Sequence, residues 1–442
     1  MTTGSPARLL AAFALPLLAG NVLQQLYNMV DSFVVGNYVG ATALAAVGTG
    51  FPIVYLLASL FIGFSMGATV MIAQYVGAGD LDRVKDTVDT LYSAFAVLIL
   101  PLTVVGVLVC GPLLRLIQVP GDVYPEALVY CMVVFAGVIG TLGYNINTGI
   151  MQGLGDSRTP LIFLAVACVL NIVLDLLFVL VFHWGVFGVS LATIIAQACS
   201  WVFGIFYINR RYPMIHIKFF QHKIDRDLLR QVLRLGIPSA VQQCQFSVAM
   251  LIMQALVNGF GTNVTAGFAV GNKIDAFAFM PIQSFATAVT TYVGQNMGAG
   301  RLDRVRRGMW TALALCMGVS VMTTALILPL RRPLLMIFNQ DPAVVAAGEA
   351  YLIRVVPCIF VLAVFNNLAS VLRGAGSTVV PMVASVIAMW AARVPMAYLL
   401  AYFFGAENLY WSYGIGWAIG LVICLVVYLR GHWKERCIIT PA

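Results

Sequence analysis

Three aspartates lie within long apolar stretches of the chain, where an ionisable side chain is costly to bury. They are Asp31, Asp175 and Asp275. An acid at membrane depth usually belongs to an ion pathway, a proton relay or a substrate site. These three residues are therefore the first candidates for chemistry.

Asp31 ends a stripe of polar residues spaced by three or four positions. The members of the stripe are Asn21, Gln24, Asn28 and Asp31. This spacing puts them on one face of a helix, and Tyr27 flanks that face. Pro16 precedes the stripe and can kink the helix. We expect such a helix to line a cavity; the alternative is a buried aspartate that is satisfied by neighbouring amides.

Asp175 follows Asn171 by four residues, so the two side chains stack on one helix face. The next apolar stretch carries Thr193, whose hydroxyl adds another oxygen. Together with Asp31 these groups could form an oxygen cage for Na⁺ or a proton site, because a pair of buried carboxylates resists double ionisation. The alternative for Asn171 and Thr193 is hydrogen bonding between packed helices.

The second half of the chain offers a third acid and a polar face. Asp275 lies near Lys273, and Arg393 is a candidate partner for it, so an ion pair and a substrate site both remain open. A helical spacing of four, seven and four residues joins Gln243, Ser247, Gln254 and Asn258. Methionines nearby can form an adaptable apolar wall, although core packing explains them as well. The predicted substrate cleft comprises Asn28, Gln243, Ser247, Gln254, Asp275, Met250 and Met280.

The composition of the chain is that of an integral membrane protein. Of 442 residues, 61% are hydrophobic and 10% are charged, against about 45–50% apolar and about 25% charged in soluble domains. A soluble enzyme and a nucleic-acid-binding protein are thereby excluded. A helical span needs about 20 apolar residues, and we predict an all-α integral membrane fold of twelve spans. They run over residues 9–37, 50–77, 88–117, 124–152, 160–183, 187–208, 232–258, 266–297, 308–338, 344–373, 380–404 and 412–430.

The basic residues indicate the orientation. The net charge of +8 comes largely from Lys and Arg in short linkers between the spans. With both termini on one side, that side holds nineteen of the 25 Lys and Arg residues, among them Lys218, Lys223 and Arg436. The opposite side holds three, and three lie within spans. The positive-inside rule then places both termini in the cytoplasm.

The chain contains an internal repeat with a shift of 221 residues. The segment Gly77–Val84 recurs as Gly298–Val305. The same shift maps Tyr130 on Tyr351, Asn145 on Asn366 and Pro160 on Pro381. Six spans separate the copies, which predicts parallel repeats about an axis along the membrane normal. We predict six-helix lobes at 1–208 and 232–442, joined by a cytoplasmic linker at 209–231.

The repeated segment predicts a tight turn between two spans. Gly79 and Gly300 are suited to end a helix in left-handed geometry. Asp82 and Asp303 can then cap the helix that follows. A structural turn accounts for these positions better than a direct substrate role.

Three segments together resemble a known family. They are Leu15–Gly36, Gln152–Pro160 and Gly188–Thr193. They resemble the first helix, the turn between the fourth and fifth helices, and the sixth helix of bacterial MATE transporters, in particular the DinF-like and MepA-like branch. The resemblance covers the whole chain. It implies two six-helix lobes and export of lipophilic, often cationic compounds in exchange for Na⁺ or H⁺.

The resemblance also implies roles for particular residues. Asp31 matches the aspartate that couples cation entry to transport, and Asn171, Asp175 and Thr193 match the rest of that cation site. Gln24 and Tyr27 match the surrounding network. One departure stands out: the seventh span carries no acid and the tenth only Glu349. A cation site in the second lobe is therefore in doubt.

The leading hypothesis is a secondary active multidrug antiporter of the cytoplasmic membrane that works by alternating access and functions as a monomer. Its partners would be an amphipathic small molecule and membrane lipids, with no nucleic acid and no cofactor beyond the coupling Na⁺ or H⁺. A flippase for a lipid-linked precursor is the alternative within the same superfamily. An intramembrane enzyme is a more distant alternative, because the sequence contains neither the reactive motif of a membrane protease nor the Asp-rich metal motif of a prenyl transferase. The sequence contains no P-loop, which argues against ATP-driven pumping by this chain alone. The identity of the substrate and of the coupling ion stays open.

Overall fold

The computed structural model describes residues 1–213, 215, 217, 224–435 and 437, but not the side chains of residues 51, 57 and 60. Lys218, Lys223 and Arg436, which the charge count places in the cytoplasm, lie outside the described residues. In the described part of the chain the regular structure is helical, with no β-strand.

The described residues form fifteen α-helices. They are α1 (Pro6–Val34), α2 (Ala41–Ala78), α3 (Leu81–Leu116), α4 (Tyr124–Ala136), α5 (Val138–Leu154), α6 (Arg158–Leu176), α7 (Gly185–Arg211), α8 (Arg226–Asn258), α9 (Thr262–Gly298), α10 (Leu302–Phe338), α11 (Pro342–Val355), α12 (Ile359–Gly374), α13 (Val379–Val386), α14 (Val394–Phe404) and α15 (Trp411–Arg430). The π-helical turns Val35–Val39, Leu177–Val181 and Ile387–Arg393 continue α1, α6 and α13. The 3₁₀ turns are Val356–Cys358, Ala406–Tyr410 and His432–Glu435.

These helices confirm an all-α membrane fold. Ten helical stretches of the described chain are long and apolar enough to cross a membrane, and α4 with α5 forms an eleventh that bends by 51°. The helix α9 has 37 residues, so its length also suffices for a span. The count is consistent with twelve spans. The bend falls at Gly137, where a Cβ would lie 2.4 Å from Ile194 of α7, so only glycine allows this approach.

The chain divides into two compact units. One comprises Ala19–Ala240, and the other combines Met1–Leu18 with Val241–Ala442. The helix α8 begins at Arg226, earlier than the predicted 232, because Asp225 accepts hydrogen bonds from the backbone N–H groups of Asp227 and Leu228. The division into lobes at 208 and 232 stays a prediction.

The sequence repeat reappears as equivalent contacts inside each unit. A Cβ on Gly50 would lie 2.6 Å from the Tyr130 ring, and a Cβ on Gly271 would lie 2.6 Å from the Tyr351 ring. Thr69 Oγ1 donates to the carbonyl of Gly149 at 3.0 Å, and its counterpart Thr290 approaches the carbonyl of Ser370 at 3.5 Å. The repeat therefore describes how the helices pack within a unit.

The repeated turns end in left-handed glycines, as predicted. Gly79 has φ +76° and Gly300 has φ +67°. The predicted caps are wrong. Asp80 caps α3 by accepting from the backbone N–H of Arg83 at 3.0 Å, whereas Asp82 lies inside the first turn. Arg301 occupies the corresponding position before α10, so no side chain caps that helix.

Candidate functional site

The predicted ion-site residues gather inside the unit Ala19–Ala240. Helix α1 supplies Tyr27 and Asp31, α6 supplies Asn171 and Asp175, and α7 supplies Thr193. Because α6 and α7 pack together and Asn171 and Asp175 are one turn apart, both side chains lie on a buried face of α6. Residues distant in sequence thus meet in one place.

The hydroxyl of Thr193 connects the three helices. It lies 3.5 Å from Tyr27 Oη and 3.4 Å from Asn171 Nδ2, which can both donate to it. It donates its own proton to the carbonyl of Val189 at 3.1 Å. Thr193 therefore orients Asn171 and Tyr27 while remaining anchored in its own helix.

The carboxyl groups of Asp31 and Asp175 lie close enough for their charges to interact. Asp175 is fully buried, and Asp31 is half-buried. Four buried oxygens of this region have no hydrogen-bond partner among the described residues: Asp31 Oδ1, Asp175 Oδ1, Asp175 Oδ2 and Asn171 Oδ1. An unpartnered buried acceptor is costly, so each of them favours a proton or a small cation. Hard cations prefer this kind of oxygen ligand.

Tyr130 of α4 also belongs to this site, although the sequence analysis did not include it. Its side chain is 8% exposed. It lies near Asp31 and Tyr27, within reach of the charge on Asp31. The repeat was the available signal, since it pairs Tyr130 with Tyr351 of the second half.

Gln24 and Asn28 form a separate pair one turn before the carboxyl groups. Gln24 Nε2 lies 3.5 Å from Asn28 Oδ1, and both side chains are half-buried. The role of Gln24 in an ion network stays a prediction, and so does the role of Asn28 in a substrate cleft.

The remaining predicted cleft residues lie in the other unit, in different surroundings. Ser247 donates to the backbone carbonyl of Gln243, and Gln254 donates to Asn258. Met250 is half-buried, whereas Met280 is 8% exposed and belongs to the core. Their contact with a substrate stays a prediction.

Asp275 lies in a buried aromatic cluster of the second unit. Its Oδ2 is 3.0 Å from Tyr351 Oη, and its Oδ1 has no hydrogen-bond partner among the described residues. The candidate partner Arg393 lies in the same cluster, but the two do not form a direct ion pair within 4.0 Å. Glu349, the acid of the tenth span, pairs instead with Arg331 at 3.3 Å.

Comparison with known proteins gives matches over nearly the whole chain. The MatE family model matches twice, over residues 16–177 and 238–399. A probable multidrug resistance protein of Bacillus subtilis, YpnP, is 30% identical over 99% of this chain and 98% of its own length. A probable multidrug resistance protein NorM of Thermotoga maritima is 28% identical over 98% and 94%.

A solved structure has the same fold. It is an outward-facing multidrug resistance MATE family transporter of the MOP superfamily. Its TM-score is 0.90 at 22% identity, over 98% of this chain and 97% of that one. The two matches of the family model also coincide with the two halves of the internal repeat.

Proposed function

Because the chain belongs to the MatE family of membrane transporters, we propose that it is a secondary active antiporter. It exports amphipathic, often cationic compounds in exchange for H⁺ or Na⁺ by alternating access. Family members are transporters and not enzymes, so the chain moves its substrate unchanged. The relatives named as multidrug resistance proteins support a broad range of substrates for this chain.

The observation that supports ion coupling is the pair of buried carboxyl groups at Asp31 and Asp175. Two carboxylates about 4 Å apart repel each other by about 4 kcal/mol at an effective dielectric constant of 20. A proton or Na⁺ between them removes that repulsion. Binding therefore favours the arrangement in which α1 and α6 are close together, and release favours their separation.

Thr193 and Asn171 make the site selective for a small ligand. Asn171 Nδ2 lies 3.4 Å from Thr193 Oγ1, and Asn171 Oδ1 has no hydrogen-bond partner among the described residues, so it can add an oxygen to those of the two carboxyl groups. A bulky organic cation does not fit a site in which Asp175 is fully buried. The coupling ion and the exported compound thus occupy separate places.

The flippase alternative needs free basic residues for a pyrophosphate group. Each of the three basic residues within the predicted spans lies against a group of its own unit. Arg354 pairs with Glu407 at 3.2 Å, Lys273 lies 5.6 Å from the Phe338 ring centroid, and Arg393 lies 3.5 Å from that of Tyr413. This arrangement supports the antiporter over the flippase.

We place the chain in the cytoplasmic membrane, with both termini in the cytoplasm, and as a functional monomer. The excess of basic residues on one side supports the orientation. The two homologous halves support the oligomeric state, because one chain already supplies both lobes.

Transport in proteoliposomes tests the proposal. A fluorescent organic cation is followed while an H⁺ or a Na⁺ gradient is imposed separately. We expect movement under one gradient, which Asp175→Asn abolishes. The control is Asp86→Asn, an exposed aspartate of α3, which should transport normally. Normal gradient-driven transport by Asp175→Asn would contradict the proposal, and no movement under either gradient would favour a narrow or lipid-linked substrate.

A further inference from the structure

The same glycine–tyrosine pair lies beside an acid in both units. In the first unit Gly50 makes room for Tyr130, which lies by Asp31. In the second unit Gly271 makes room for Tyr351, which lies 3.0 Å from Asp275. The two acids are not repeat equivalents, since the shift of 221 maps Val54 on Asp275. In each unit a carboxyl group therefore lies beside the equivalent tyrosine, but the helix that supplies the carboxyl group differs between the units.

The partner of that carboxyl group has opposite charge in the two units. In the first unit α6 supplies a second acid, Asp175. The repeat maps α6 on α13 through Pro160 and Pro381, and the π-helical turn that continues α13 ends at Arg393. The first unit thus has two acids that need a cation, whereas the second has one acid and a cation of its own.

Arg393 is buried without the partners that an arginine normally has. Its side chain is 2% exposed, and its Cζ lies 3.5 Å from the centroid of the Tyr413 ring. Nη1 approaches the sulfur of Met389 at 3.5 Å, while Nε and Nη2 have no hydrogen-bond partner among the described residues. An arginine keeps its charge in a protein, so this charge needs compensation nearby.

Asp275 and Arg393 lie at the two ends of one chain of contacts, since Asp275 Oδ2 is 3.0 Å from Tyr351 Oη and the guanidinium group of Arg393 lies over the Tyr413 ring. The connection runs through aromatic rings, because Tyr413 packs against Tyr351 with ring centroids 6.0 Å apart. Gly416 of α15 leaves the space for the arginine, since a Cβ there would lie 3.0 Å from Arg393 Cβ. Gly416 therefore lets α15 approach the π-helical turn closely at Arg393.

We propose that Arg393 is a tethered cation that takes, in the second unit, the place of the exchangeable cation that the first unit binds at Asp31 and Asp175. The chain then has one exchangeable ion site, in the first unit. The proposal rests on the proposed function for the first-unit site, but its own residues are Asp275 and Arg393. It explains how the second unit keeps a buried acid without binding a coupling ion.

Removal of the tethered charge should create a cation site. We would measure equilibrium binding of radioactive Na⁺ to purified protein in detergent, for wild type, Arg393→Ala and Arg393→Lys. Arg393→Ala should bind one further Na⁺ per chain, and Arg393→Lys should bind as wild type does. The extra site should disappear in Arg393→Ala combined with Asp275→Asn.

Thermal unfolding supplies a second readout that remains informative if Arg393→Ala folds poorly. Guanidinium ion at low concentration should stabilise Arg393→Ala in a saturable way and leave the wild type unchanged. Asp275→Asn should be less stable than wild type, and Arg393→Gln combined with Asp275→Asn should be more stable than either single variant.

Two results would overturn the proposal. One is a folded Arg393→Ala protein that neither binds additional Na⁺ nor responds to guanidinium. The other is loss of a Na⁺ site from the wild type on Asp275→Asn, which would make Asp275 itself an exchangeable ion site. Neither outcome touches the first-unit site, whose failure would be seen as unchanged ion binding in Asp31→Asn.

Discussion

Thr193 shows how much of the candidate ion site depends on one hydroxyl group. It meets Tyr27 from α1 and Asn171 from α6, and it is anchored to Val189 in its own helix. A hydrogen bond of this kind contributes about 0.5–1.5 kcal/mol. The hydroxyl therefore matters more for the position of its neighbours than for the stability of the fold.

We predict that Thr193→Val weakens ion coupling, whereas Thr193→Ser preserves it. Valine has the shape of threonine but cannot accept from Asn171, and the loss of about 1 kcal/mol corresponds to roughly a fivefold weaker affinity for the coupling ion. The measurement is the ion concentration that gives half-maximal transport in proteoliposomes. Equal values for the valine and serine variants would show that the hydroxyl has no part in the site.

At the scale of residues, the polar groups of the candidate site could be predicted from the sequence, but their aromatic neighbours could not. An acid or amide in an apolar span stands out, and helical spacing alone was enough to join Asn171 to Asp175. Tyr130 did not stand out, because tyrosine is common in membrane proteins. Apart from the repeat, nothing in the sequence shows that its ring packs against Gly50. Which side chain fills the space beside a glycine depends on the tertiary packing, so it cannot be predicted from the local sequence.

At the scale of helices, the packing of α2 against α4 depends on one small residue. A Cβ on Gly50 would lie 2.6 Å from Tyr130 and 3.0 Å from the sulfur of Cys131. Both are buried in the core of this unit. A larger side chain therefore has to push α4 away, and with it the tyrosine next to the candidate ion site.

We predict that Gly50→Ala destabilises the protein by about 1–3 kcal/mol through overpacking. The matched control is Gly48→Ala in the same helix, where a Cβ would meet nothing within 4 Å. The control should be neutral or slightly stabilising, because alanine favours a helix over glycine. The measurement is thermal unfolding in detergent. Equal unfolding temperatures for the two variants would contradict the packing described here.

The helix features that the sequence analysis missed each depend on a particular residue. Asp82 looked like a cap, but Asp80 lies nearer the glycine turn and reaches the backbone N–H of Arg83 first. The early start of α8 depends on Asp225, which accepts hydrogen bonds from the first backbone N–H groups of the helix. No apolar pattern in the neighbouring sequence indicates that a helix begins there. The bend between α4 and α5 depends on Ile194 of a helix distant in sequence. The apolar spans themselves were predictable, because a membrane imposes their length and composition.

At the scale of the whole molecule, the repeat and the distribution of charge make a prediction about topology. In the predicted topology an even number of spans separates the two copies, and basic residues concentrate on one side. The repeat could be detected in the sequence because its turns and glycines recur at a constant spacing. The different role of the second unit could not be predicted from the sequence. Asp275 and Arg393 are connected only through the packed rings of Tyr351 and Tyr413.

We predict that the turn at Gly79 faces the cytoplasm and the turn at Gly121 faces outward. An epitope inserted at Gly121 should bind antibody on intact spheroplasts, and one inserted at Gly79 only after permeabilisation. Both glycines lie in turns where a Cβ would meet nothing within 4 Å, so insertion disturbs little. The reverse pattern of labelling would invert the orientation inferred from the basic residues.

Coupling of the substrate to the ion through the pair Asp31 and Asp175 can be measured as a counterflow. Vesicles without an imposed ion gradient are loaded with an organic cation that the protein transports, and the flux of H⁺ or Na⁺ is recorded as the compound leaves. In the wild type we expect the compound to drive one of the two ions in the opposite direction. Asp31→Asn should keep the wild-type fold but carry no such ion flux. Compound efflux through Asp31→Asn accompanied by an undiminished counterflow of the same ion would show that Asp31 does not couple the two fluxes.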